Sequence, residues 1–359
     1  MNKLNSMIAI TFIAVTFAAC KKDSDEPIVV IPPSDGSTLT LNGLVGAELG
    51  SAAGNSVYVD FSTDKQTAVL RSSWDLGFYS GADFKVVLNN TTSAGAKVLT
   101  ATSLAAVTET DTLGLTLAVS QASPAPADFN YFDKIDGSGT VIPAISSTAT
   151  DNKVIILNRG TGGSIAARSW IKFKVTRNTS GGYTLQYGKI KETTNFTTVE
   201  IPKDGTFNFK FVSLTNGQVT SVEPQKADWD ITWGYSVYQT TFNNALVPYN
   251  FSDMVFINSL AGVTAAEVST SDFTYAAFTE ANLTSSKFTF TGLRDAIGSK
   301  WRFSTASATN AIGVNPNTFY LIKDGAGNIY KLKFVSFISN DGGTRGKPVI
   351  EYKLVKKAS

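Results

Sequence analysis

The sequence predicts an all-β protein, made of two tandem antiparallel β-sheet domains behind an N-terminal leader. Three observations predict it. Short runs alternate Thr, Val, Phe and Tyr with polar residues, and Gly, Asn, Asp and Ser turns punctuate them. Long amphipathic helical patterns are missing, and the best helical candidates are short, at 103–109 and 265–269. Segments of the first half recur in the second at a nearly constant distance, as a duplicated module requires.

The leader comes first. Lys3 supplies a positive start, and Met7 to Ala19 is an apolar run of signal length, too short to span a bilayer comfortably. It ends Phe17-Ala18-Ala19-Cys20, with the sole cysteine of the chain directly after small residues, and this resembles a bacterial lipobox. Residues 1–19 are therefore expected to be a lipoprotein signal peptide and Cys20 to be lipidated. A tether is expected over 20–37. It holds the charged Lys21-Lys22-Asp23-Ser24-Asp25-Glu26-Pro27 and the breakers Pro32-Pro33-Ser34-Asp35-Gly36-Ser37. Its acidic group is similar to surface-export signals of Bacteroidetes lipoproteins. Several acyl chains give stable anchoring, so the expected location is the outer membrane, at the cell surface.

In the body, Trp170–Val175 alternates, and after Asn178–Gly182 alternation resumes over Tyr183–Tyr187, which reads as a hairpin. Residues 317–334 read as another. The repeat is carried by Trp74-Asp75-Leu76 and Trp229-Asp230-Ile231, and by Asn89-Asn90 and Asn243-Asn244. Ser103–Thr108 and Ser259–Thr264 add to it, as do Tyr183–Tyr187 and Tyr330–Phe334. The expected domains are 38–196 and 197–359.

Composition removes several functions. Lys+Arg 31 against Asp+Glu 29 leaves net +2 without a basic run, so no nucleic-acid partner is expected. The chain has no histidine and one cysteine. That removes a Ser-His-Asp triad, a Cys-His pair, His-ligated zinc or haem, an intrachain disulfide and a Cys-cluster metal site. There is no phosphate-binding loop, nucleophile elbow or calcium ladder, and Gly160, Gly162 and Gly163 read as a flexible turn. No enzyme is expected; a carboxylate-based hydrolase would need a paired motif, and Asp228-Trp229-Asp230 reads better as backbone-bonding turn residues.

Candidate binding residues lie just after the second Trp-Asp. Trp233, Tyr235, Tyr238 and Tyr249 are dense there, with Phe242 and Phe251. Such rings stack on a porphyrin or a sugar, or pack in a core. Met254 is the one methionine after the leader.

At the two Trp-Asp segments, residues 58–90 and 207–244 resemble the opening of the HmuY family of haem-binding lipoproteins, apparently in two tandem copies. Lys323-Asp324-Gly325-Ala326-Gly327-Asn328-Ile329-Tyr330-Lys331 resembles its closing hairpin, and Gly346–Tyr352 its last strand. The resemblance implies an antiparallel fold, a cell-surface location and capture of haem for an outer-membrane transporter. The family's second histidine ligand follows a strand similar to Trp301-Arg302-Phe303-Ser304, and its place falls near Thr305, a poor iron ligand. Some members use Met instead, so the resemblance leaves Met254 or a Tyr phenolate as the side-chain route to haem iron. The expected function is thus a surface lipoprotein that binds haem or a related tetrapyrrole without histidine. The alternative is a diverged binding or adhesion module for a glycan, peptide or partner protein on the same scaffold, where duplication favours avidity.

Overall fold

The computed structural model describes residues 32–135 and 139–359. The signal segment 1–19, Cys20 and the tether up to 31 lie outside the described residues. Pro33–Ser359 form one compact unit. Among the described residues there is no α-helix; the strands are joined by single 3-10 turns.

Four large sheets make the unit, with a two-stranded ribbon of Arg302–Phe303 and Gly313–Val314 beside them. The first outer sheet runs Thr197–Ile201, Tyr183–Lys189, Ile171–Arg177, Ile155–Asn158, Gly95–Val98. The first inner sheet runs Gln218–Thr220, Phe209–Ser213, Leu76–Tyr79, Val86–Leu88. The second inner sheet runs Ala245–Ile257, Ile231–Phe242, Asn55–Asp60, Lys65–Leu70. The second outer sheet runs Gly36–Thr40, Val349–Lys356, Ile329–Ser336, Thr318–Lys323, Thr264–Ser269. All these pairings are antiparallel. Both expected hairpins, at 171–189 and 318–336, are present.

Strand alternation sets the layers, because successive side chains point to opposite faces. Leu76, Phe78, Leu88 and Val212 of the first inner sheet pack on Leu157, Phe173 and Leu185 of the first outer sheet. Val57, Val59, Ile231 and Ile257 of the second inner sheet pack on Ile322, Leu332 and Ile350 of the second outer sheet. The intervening residues point the other way. Tyr58 and Phe211, with Trp74 and Trp229 at the strand entries, join in a cluster between the two inner sheets. Two sandwiches therefore meet along their inner sheets.

Strand pairings cross position 196/197. The hairpin 55–70 pairs with Ile231–Phe242, and Phe209–Ser213 pairs with Leu76–Tyr79. Gly36–Thr40 pairs with Val349–Lys356, as Thr197–Ile201 pairs with Tyr183–Lys189. Each half lends its first strands to the sheets of the other. The end of the expected tether is part of this exchange: Gly36 already lies in a strand at φ +125°, where a Cβ would strike the Tyr352 carbonyl.

Hydrogen bonds locate the equivalent positions. Asp75 N donates to Val212 O at 2.9 Å and Asp230 N to Val59 O at 2.8 Å, so Trp74 and Trp229 correspond. Asn89 Nδ2 donates to Arg71 O and Trp74 O, and Asn258 Nδ2 to Lys226 O and Trp229 O. Asn258, rather than Asn243-Asn244, is therefore the counterpart of Asn89, and Ser259–Thr264 answers to 90–95 rather than to 103–108. Asn243 and Asn244, at φ 49° and 61°, form the turn of a hairpin whose arms are 12 and 13 residues long. That added arm displaces the count. Leu185 faces Val199 and Ile350 faces Leu39, so Leu185 answers to Ile350, and the match to Leu332 is one strand out. The helical candidates are replaced by a 3-10 turn at Leu104–Ala106 and a strand at Thr264–Ser269. In that strand Ala265 packs on one face and Ala266 with Val268 on the other.

Candidate functional site

Between the inner sheets lies a cavity of about 390 Å³, within the range of small-molecule sites. It is lined by the residues that alternation turns away from the two cores. Trp74, Tyr79, Phe209 and Phe211 come from one side, and Tyr58, Trp229, Tyr235 and Phe256 from the other. The rings brace one another edge-on or tilted. Trp74 and Phe211 are 4.8 Å apart, Tyr58 and Trp229 5.1 Å, and Tyr79 and Phe209 5.5 Å. Such contacts fix apolar faces in place, ready for a flat ring.

The polar part is asymmetric. Glu223 reaches the cavity, and its Oε2 is buried with no hydrogen-bond partner among the described residues. Burial pushes its carboxyl up to about 7, against the pull of Arg294 and of a hydrogen bond from Asn208. Burial and the Glu223 charge together push the Tyr58 phenol up. Asp133 accepts from Leu88 N and Val141 N at 2.7 Å each, yet burial pushes it up to about 6. Arg294 lies over the Phe256 ring at 5.4 Å and makes no ion pair among the described residues. It has a counterpart. Ala96 N donates to Tyr131 O and Ala265 N to Thr291 O, and three residues beyond those acceptors stand Lys134 and Arg294, both lining the cavity.

Of the binding residues expected from sequence, Tyr235 lines the cavity. A bulge between Gly234 and Ser236 breaks the alternation there, so both Tyr235 and Ser236 face the cavity. The Arg71 guanidinium sits 4.8 Å from the Tyr235 ring centre. Arg71 is itself buried and donates to the carbonyls of Ala53, Thr91, Gly162 and Gly163, which is the structural use of the Gly160–Gly163 turn. Tyr238 Oη donates to Asp295 Oδ2 at 2.5 Å, and Tyr238 and Tyr249 each meet Phe251 edge-on. Trp233 is buried in the second sandwich core. Met254, expected as an iron ligand, is fully buried with Ile135 and Phe256 and does not line the cavity. Thr305 is exposed, while Trp301 before it is stacked on Phe334 at 4.1 Å. Asp228 is exposed; Asp230 is buried, accepts from Phe61 N at 2.8 Å and is pushed up to about 8 by burial.

Tyr58, Tyr79, Phe209, Glu223 and Arg294 were not singled out from sequence. The aromatic alternation of Tyr58 against Val57 and Val59, and of Phe209 and Phe211 against Val212, was the available signal. Glu223 and Arg294 carry no local pattern. Among the described residues no group of three or more His, Cys, Asp or Glu is placed to hold a metal ion.

A model of the family described as HmuY protein matches residues 52–352, which is most of the chain and runs across position 196/197. No curated protein and no solved structure matches the chain.

Proposed function

The chain belongs to the HmuY family, and from that premise we propose that it is a surface-anchored lipoprotein whose inter-sheet cavity takes haem or a related tetrapyrrole by its ring and not by its iron. The aromatic cavity carries this reading. Its walls are largely aromatic, and burial there supplies about 25 cal/mol per Å² of apolar surface without any metal bond. The donor set does not suit the iron. The chain has no histidine, Met254 faces a core, and burial keeps the Tyr58 phenol protonated, so a phenolate ligand is disfavoured. Titrating haemin into the mature chain is expected to give a Soret shift without a low-spin bis-histidine spectrum. Val87 lines the cavity, and Val87→Trp, which narrows it, is expected to cost about tenfold or more in affinity, equivalent to about 1.4 kcal/mol. Unchanged haemin affinity in a Val87→Trp protein with a native circular dichroism spectrum would contradict the proposal.

The anchor is the second part of the proposal. Lipidation of Cys20 holds the protein at the outer membrane, where it would hand its ligand to a transporter. Cys20→Ala is expected to move the protein from the membrane fraction to the soluble fraction. Retention in the membrane after that change would overturn the anchor.

A further inference from the structure

We infer that the polar end of the cavity recognises a ligand carboxylate, held by the Arg294 guanidinium and the Glu223 carboxyl. The inference rests on the ring-binding reading and adds the chemistry of the ligand's side arm. Two observations carry it. Glu223 Oε2 is buried without a partner and belongs to a residue lining the cavity. Arg294 lines the same cavity and has the Phe256 ring, rather than a carboxylate, against it. Glu223 and the half-buried Arg294 line one cavity and form no ion pair with each other among the described residues, so a group entering the cavity can meet both.

Charge decides which group fits. A ligand carboxylate beside Arg294 and an ionised Glu223 would leave a net negative charge in a low-dielectric site, which is strongly disfavoured. With Glu223 protonated, its O–H donates to the ligand carboxylate and the guanidinium neutralises the remaining charge. The trio is then neutral. No bond is made or broken beyond the proton that Glu223 takes from solvent. The surroundings favour the neutral form of Glu223. Tyr58 faces it from the strand Asn55–Asp60, Asn208 from the segment before Phe209–Ser213, and Arg294 supplies the one attractive charge. Asp133, Lys134 and Lys85 line the same cavity and complete its charged groups. A ligand with a cationic arm would instead meet Arg294 with like charge.

The test compares mesoporphyrin IX, a dicarboxylic acid, with its dimethyl ester, and 1-pyrenebutanoic acid with 1-pyrenebutanol. All four are read by fluorescence between pH 6.5 and 8.5. Each acid is expected to bind about tenfold tighter than its neutral partner at pH 6.5. With Glu223 titrating near 7, the acid's affinity is expected to fall by about tenfold per pH unit above that value. Glu223→Gln keeps a donor in place, so it should retain acid binding and flatten the pH profile. Arg294→Gln should abolish the preference for the acid. A preference confined to the pyrene pair supports the carboxylate contact while overturning the macrocycle reading. Equal binding of acid and neutral partner in both pairs overturns the inference, as does a pH profile unchanged by Glu223→Gln.

Discussion

Asp75→Ala is expected to lower the free energy of unfolding by about 3–5 kcal/mol, the cost of breaking a buried ion pair from one side. Asp75 is almost fully buried and accepts from Arg159 Nε and Nη2 at 2.8 Å each, from Arg168 Nη1 at 3.1 Å and from Leu214 N at 2.8 Å. Its removal leaves two guanidinium groups without their carboxylate and a buried backbone N–H without an acceptor. Leu214 comes from the other half of the chain, so the change should loosen the exchange between halves as well as the first sandwich. Urea unfolding followed by circular dichroism measures it; a loss under 1 kcal/mol would contradict the role assigned to Asp75.

Asp230 makes the same backbone contact in the second half, and its surroundings reverse the expectation. Leu157 pairs with Ala96 and Ile322 with Ala265; two residues beyond these partners stand Arg159 and Asp324. A carboxylate thus occupies the place of the cation. Burial first, then Asp60 and Asp324, push Asp230 up to about 8. A raised acid holds its proton in the folded state. Its contribution to stability is complete below the unfolded value near 4, and is lost as pH rises toward 8. Asp230→Asn is expected to remove that slope: it should be near neutral at pH 4 and stabilising at pH 8, with Asn Oδ1 still accepting from Phe61 N. Equal effects of Asp230→Asn at the two pH values would refute this.

Trp301→Ala is the other large effect, about 3–5 kcal/mol, as for large-to-small changes of buried aromatics. Trp301 is 1% exposed, stacks on Phe334 at 4.1 Å, meets Phe337 edge-on at 5.2 Å and donates from Nε1 to Asp253 O at 3.0 Å. Its loss opens a cavity and removes a buried donor together. Arg302 beside it lies near Asp253, which Arg345 grips at 2.9 Å, so the segment is fixed on both sides. The midpoint of thermal unfolding reads this directly. A wild-type midpoint for Trp301→Ala would show that the strand Arg302–Phe303 is held by something else.

The sequence made the strands legible because alternation is a local signal, and the hairpins 171–189 and 318–336 stand where it put them. The match of Trp74 with Trp229 was legible, and the same backbone contact recurs beside both. It failed at Asn89 because the long arms of the hairpin 231–257 shift everything that follows. Strand exchange between the halves was not legible, since pairing partners far apart in sequence leave no local mark. The site divides in the same way. Tyr235 belonged to a visible aromatic cluster and the bulge turned it into the cavity. Met254 sat in the same cluster, and the alternation of Val255 and Phe256 gives no sign that its side is covered by Ile135. Glu223 and Arg294 are brought to one cavity by folding alone.

The measurement that bears most directly on ring binding without iron ligation is a competition between haemin and metal-free protoporphyrin IX for the mature protein. If the aromatic walls and the polar end hold the ligand, the two bind with affinities within about tenfold of each other, and each displaces the other. Tight haemin binding that protoporphyrin IX neither matches nor displaces, with a low-spin spectrum that survives Met254→Ala and Tyr235→Phe, would contradict the account.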